Sequence, residues 1–257
     1  MIDFYFSYRS PYSYLILPRM LKLKNEYKLD INFKIVYPIA IRMPEWFDNK
    51  NIFFFIPFIR DFKKKAKKLN MPLNMPIKPD PIRQNTLTGK IADHQPYIFD
   101  ICHMGQLMCN RGKGIEFAYE LSTLIWSVKN WNSDDKLKDL LADFGEDLDE
   151  VRESIKSNEK SLIEEIEMNQ LDQKEAGHHG VPLNVYKGKY YFGQDDPFEE
   201  LIKELNVPDS KVWAMPAGDD RESLMESYGP VMNFVRDRGW RYTGRSHIMA
   251  FNTERCV

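Results

Sequence analysis

Ser10-Pro11-Tyr12-Ser13 sets two hydroxyls three residues apart, directly after the apolar run Ile2-Asp3-Phe4-Tyr5-Phe6 and ahead of a Leu-, Lys- and Met-rich segment. Ser is a favoured helix N-cap and Pro is favoured at the first helical position, where its missing N–H costs nothing. Capping alone accounts for Ser10 and Pro11. A helix N-terminus also offers unpaired N–H groups and the positive end of the macrodipole, a place that favours a thiolate or another anion. The two readings are compatible. A second marked stretch is Gly180-Val181-Pro182, ahead of a strand-like run. Proline there removes a ladder donor and belongs at a sheet edge or a special turn. The expectation is a cis Val181–Pro182 bond facing the first helix, with the main chain of Val181 available to hold an extended peptide beside Ser10.

The elements that position these residues are read from period and punctuation. Residues 2–6 and 31–37 read as strands with one helix over about 11–26 between them, a βαβ start. Strands at about 183–186 and 189–192 flank a Lys187-Gly188 turn, and a helix follows from about 197. Residues 41–174 lack strand alternation and show helical spacing, as in Phe117, Leu121, Leu124 and Ile125. The proline-rich stretch 71–89 reads as an extended surface connection. The run Lys63-Lys64-Lys65-Ala66-Lys67-Lys68 reads as the solvated face of a helix that turns Phe58, Ile59, Phe62 and Leu69 inward.

Composition narrows the function classes. The chain has 257 residues, 43% hydrophobic, with 36 basic against 38 acidic residues and a net charge of −2. That suffices for a sizeable core and gives no global field for nucleic acid or acidic lipid, so a small ligand is expected. No window approaches the roughly 20 apolar residues of a membrane span, and the chain reads as cytoplasmic. Cys102, Cys109 and Cys256 contain no Cys-x-x-Cys pair, which argues for free, packed thiols rather than a disulfide framework or a zinc site.

The stretches DFYFSYRSPYSYL (3–15), NTL (85–87), Trp126 with Asn130-Trp131, and GHHGVPLNVYKGKYYFGQDD (177–196) together resemble the 2-hydroxychromene-2-carboxylate isomerase family. That family and the similar kappa-class glutathione transferases belong to the DsbA-like branch of the thioredoxin fold. The resemblance implies an α/β thioredoxin-like domain from residues 1–40 and 175–207, an inserted all-helical domain over 41–174, and a C-terminal extension over 208–257 that lies outside it. It implies glutathione as a recycled cofactor, an aromatic acid as substrate and a homodimer. Ser10 would donate a hydrogen bond to the glutathione sulfur, with Val181, Pro182, Asp195 and Asp196 also holding the cofactor. Pro11, Tyr12, Phe54, Trp126 and His179 would line the substrate side.

Three positions depart from the family pattern. Asp196 adds an acid where an arginine is usual, and the family's lysine near Phe54 is missing, with Lys50 the nearest substitute. His178-His179 stands where apolar residues are usual; a general base or simple exposure are both open. A kappa-like transferase or peroxidase, and a non-catalytic peptide-binding module, remain alternatives to the isomerase.

Overall fold

A computed structural model describes residues 1–48, 50, 52–75, 77–85, 87–193, 213–215, 221–238 and 241–244. The chain divides into two compact units, Met1–Tyr190 and Tyr191–Val257. In β1 (Ile2–Phe6), Ile2, Phe4, Tyr5 and Phe6 are all buried, so both faces are covered, as suits a central strand. α1 (Pro11–Asn25) crosses over to β2 (Ile31–Ile35), which pairs with β1 in parallel from Ile2 opposite Ile31 to Phe6 opposite Ile35. β3 (Leu183–Tyr186) runs antiparallel on the other side, with Tyr5 opposite Leu183. β4 (Lys189–Phe192) completes the order β2-β1-β3-β4. The turn before it has positive φ at both Lys187 and Gly188, the geometry that closes a two-residue hairpin.

β2 ends two residues sooner than its apolar run predicts. Val36 N–H still reaches Phe6 O, but Tyr37 N–H leaves the ladder for Gln170 Oε1 at 3.1 Å, just before Pro38. The pairing has one further consequence: the C-terminal ends of β1 and β2 and the start of β3 meet at one end of the sheet. In open α/β sheets this is the end at which ligands bind.

The helical block is α2 (Ile39–Arg42), a 3₁₀ turn (Pro44–Phe47), α3 (Ile52–Lys68), α4 (Ile98–Asn110), α5 (Gly114–Ser127), α6 (Asp134–Ala142) and α7 (Leu148–Glu175). α4 packs on α5, α7 and β2, and α5 packs on α1. Trp126, Trp131 and Phe117 are fully buried among them, each side chain contributing about 1.5–3 kcal/mol. Cys102 and Cys109 both lie on α4, as free thiols.

Two expectations need correction. The proline-rich stretch is packed rather than superficial: Ile77, Ile82 and Ile91 are buried. Trp131 Nε1 donates to Pro79 O at 2.7 Å, Tyr14 to Pro72 O at 3.0 Å and Asn130 N to Lys78 O at 2.7 Å. A segment without ladder pairing leaves its carbonyls in need of donors, and α1 and the turn between α5 and α6 supply them. On α3, Phe62 and Ala66 turn inward, but Phe58 and Leu69 are each 47% exposed. Tyr12 of α1 docks on α3 at Asp61 and Phe62.

In the second unit, β5 (Trp213–Ala214) pairs in parallel with β6 (Arg241–Tyr242), and α8 (Arg221–Arg238) buries Leu224. No helix among the described residues is long and apolar enough to cross a membrane.

Candidate active site

Ser10 is the N-cap of α1, in extended conformation (φ −90, ψ 115), and its Oγ accepts the N–H of Ser13 at 3.2 Å. Ser10 O accepts from Tyr14 N, and Ser10 N donates to Ser7 O, so the turn is tied on both sides. Pro11 occupies the first helical position. A hydroxyl that accepts through oxygen keeps its hydrogen, and the half-buried Ser10 can therefore cap the helix and donate outward at once. Ser13 is fully buried, and its Oγ has no partner among the described residues. Of the two serines, Ser10 is the one a ligand can reach.

The Val181–Pro182 bond is cis. Val181 packs on the buried cluster of Tyr5, Val36 and Leu183, so the turn sits where β3 begins, beside the end of β1 that leads to Ser10. The loop before it is held from outside. Arg42 donates Nε to Tyr37 O at 2.7 Å, one terminal nitrogen to Gln173 Oε1 at 3.0 Å and the other to His179 O at 2.9 Å. Gln173 Nε2 donates to Gly180 O at 2.7 Å. Neither residue is flagged by motif reasoning. The one available signal for Arg42 was a lone cation within the apolar run 36–44, while Gln173 is indistinguishable in sequence from the other polar residues of α7.

His178 and His179 do not converge on one point. Their rings stack at 5.6 Å, His178 Nδ1 accepts Gly180 N–H at 2.9 Å, and His179 is exposed. Burial pushes the His178 pKa down, and the neighbouring His179 adds to that.

The apolar candidates separate by depth. Tyr12 is half-buried, its hydroxyl donating to Asp61 Oδ2 at 2.6 Å and its ring edge-on to Phe62. Phe54 lies two turns earlier on α3, about 10 Å along its axis, in a cluster with Trp46, Phe55 and Phe58. Lys50 Nζ lies 4.1 Å above the Trp46 ring. Trp126 is fully buried, stacked on Tyr14 with Arg9 above it. It supports the site from below and offers no surface to a substrate, a correction to its expected lining role: the large indole completes the α1–α3–α5 core. Arg9 is itself fixed by a two-pronged bond to Asp80, at 2.7 and 2.8 Å. Asp195 and Asp196, and the helix expected from about 197, lie outside the described residues.

Burial pushes both described thiols up, Cys109 to about 12 and Cys102 further still. Both stay protonated near neutral pH and are poor nucleophiles. No group of three or more His, Cys, Asp or Glu among the described residues could hold a metal ion.

No protein-family model and no curated protein matches the sequence. Solved structures do match. A 2-hydroxychromene-2-carboxylate isomerase is 18% identical with a TM-score of 0.59, over 80% of this chain and 95% of that one. A putative protein disulfide isomerase from Nitrosomonas europaea is 14% identical (0.53; 80% and 95%). The cytosolic disulfide reductase DsbM from Pseudomonas aeruginosa is 13% identical (0.51; 80% and 99%). With the β2-β1-β3-β4 sheet, the helices between β2 and β3, the capped first helix and the cis-proline turn at the start of β3, these likenesses show that the chain has the DsbA-like thioredoxin fold.

Proposed function

We propose that the protein is a glutathione-dependent isomerase of 2-hydroxychromene-2-carboxylate, or of a related conjugated aromatic acid. The observation that carries this reading is Ser10: a half-buried hydroxyl at the start of α1 that caps the helix through its oxygen and retains its hydrogen for a ligand. Glutathione, when bound, supplies a thiolate that adds reversibly to a conjugated double bond, so that rotation about that bond becomes possible before the thiol is released unchanged.

The residues present fit such a ligand. Ser10 donates to an anionic sulfur, and the dipole of α1 favours the same charge. Val181 offers its main chain at the cis-proline turn to the peptide part. Tyr12, fixed through Asp61, and Phe54 present aromatic surface on the side of α3. Serine suits a recycled thiol better than cysteine, which exchange with oxidised glutathione would convert to a mixed disulfide. The likeness in fold to a 2-hydroxychromene-2-carboxylate isomerase supports the choice of reaction.

The test is the conversion of 2-hydroxychromene-2-carboxylate to trans-o-hydroxybenzylidenepyruvate with and without glutathione. Turnover that requires glutathione, and leaves it unconsumed, is the expected result. Consumption of glutathione by an electrophile without isomerisation would make the protein a transferase instead, and absence of glutathione binding would favour a peptide-binding module.

A further inference from the structure

Arg42 ends α2 at the end of the sheet where β1, β2 and β3 meet. Its three hydrogen bonds all go to neutral acceptors: two main-chain carbonyls and the amide of Gln173. No carboxylate among the described residues pairs with it. Burial lowers its pKa to about 10, and no opposing charge contributes. Holding a desolvated cation against dipoles alone is costly, and the cost falls when an anion arrives. A guanidinium has five N–H groups; three are used here, which leaves two, on a residue that is still half-exposed. Forked donors of this kind match a carboxylate.

The hydrogen bonds put this cation beside the cis-proline turn. β1, which leads to Ser10, lies between β2, which leads to Arg42, and β3, which follows the cis turn. Through His179 O, and through Gln173 to Gly180 O, the same guanidinium is fastened to the loop just ahead of Val181. We infer that Arg42 receives a ligand carboxylate on the rim shared by Ser10 and the cis-proline turn. The inference rests on the proposed function for its choice of ligands. The carboxylate belongs to the glycine end of glutathione or to the aromatic acid, and its chemistry is the same in either.

The test is calorimetric titration of the full chain, as wild type, Arg42→Gln and Arg42→Lys. The ligands are glutathione and its glycine ethyl ester, and trans-o-hydroxybenzylidenepyruvate and its methyl ester. For one of the two acids, esterification and Arg42→Gln should each weaken binding by about 10- to 100-fold, as for loss of a charge-assisted hydrogen bond. The corresponding ester should bind wild type and Arg42→Gln alike, and Arg42→Lys should recover part of the loss. The acid that behaves in this way identifies the source of the carboxylate. Two results overturn the inference: an Arg42→Gln protein that still prefers acid over ester as wild type does, or one that weakens acid and ester equally, which would leave Arg42 only a fastener of the loop. If wild type does not bind glutathione, the proposed function fails while the aromatic pair still decides the role of Arg42. Binding of neither acid overturns both.

Discussion

The turn at Ser10 follows β1 and the loop at 178–182 precedes β3 at the same end of the sheet, yet they are held by different means. Ser10 is fixed by neighbours three and four residues away, through Ser7 O, Ser13 N and Tyr14 N. The loop is fixed by Arg42 and, through Gly180, by Gln173, and Arg42 is well over a hundred residues away in the chain. One half of the site is therefore assembled locally and the other only once α2 and α7 have docked. Local geometry suits a group whose exact placement governs chemistry. Remote fastening makes the loop dependent on tertiary packing.

The largest effect expected is on the local side. Ser10→Ala should lower turnover by about 10- to 1,000-fold, as for loss of one donor to a bound or developing anion, while costing only about 1 kcal/mol in stability through the lost cap. Steady-state kinetics and urea unfolding on the same variant separate the two. Near-normal turnover per folded molecule would reduce Ser10 to a cap.

On the remote side the balance should invert. Gln173→Ala removes a fully buried side chain and leaves Gly180 O and one donor of Arg42, both on half-buried residues, without that partner, a loss of about 1–3 kcal/mol. Its urea midpoint should fall further than that of Ser10→Ala. A smaller fall would break the comparison, since the loop would then be held by something other than this clamp.

How much of this was legible in the sequence follows the same division. Ser10, Pro11 and the cis Val181–Pro182 bond could be read because each depends on the chain within a few residues: capping, a fixed φ, a missing donor. The four strands followed from apolar runs bounded by turn residues, and their order emerged only with pairing. Arg42, Gln173 and the Arg9–Asp80 pair were not legible, because what makes each matter is a hydrogen-bond partner on a distant element. Trp126 was misread as a lining residue for a related reason: an aromatic at a helix end has the same signature whether it faces a ligand or the α1–α3–α5 core.

A milder test concerns the strand beside the loop. Asn184 on β3 is fully buried, and neither of its side-chain polar atoms has a partner among the described residues. Asn184→Val should stabilise the protein by about 1 kcal/mol, since it removes an unsatisfied amide and leaves a β-branched residue in a strand. Destabilisation on chemical unfolding would show that the amide does have a partner.

The smallest effect is a pH dependence. Burial lowers the pKa of His103, whose Nε2 lies 2.9 Å from the Tyr37 hydroxyl, and that of His178 in the loop. The unfolded chain then binds more protons than the folded one at mildly acidic pH. Stability is full above the ordinary histidine value of 6.5 and declines as pH falls through it. The unfolding midpoint should drop between neutral and mildly acidic pH, and less steeply in His103→Asn. An unchanged slope in that variant would assign the effect to the loop histidine.

The most direct measurement is the ultraviolet titration of the thiol of bound glutathione, in wild type and in Ser10→Ala. A donor hydroxyl at the start of α1 should depress the thiol pKa from about 8.5 toward neutrality in wild type, and its removal should return the value most of the way. The same pKa in both proteins would contradict the account, because the hydroxyl at Ser10 would then not touch the sulfur it is proposed to activate.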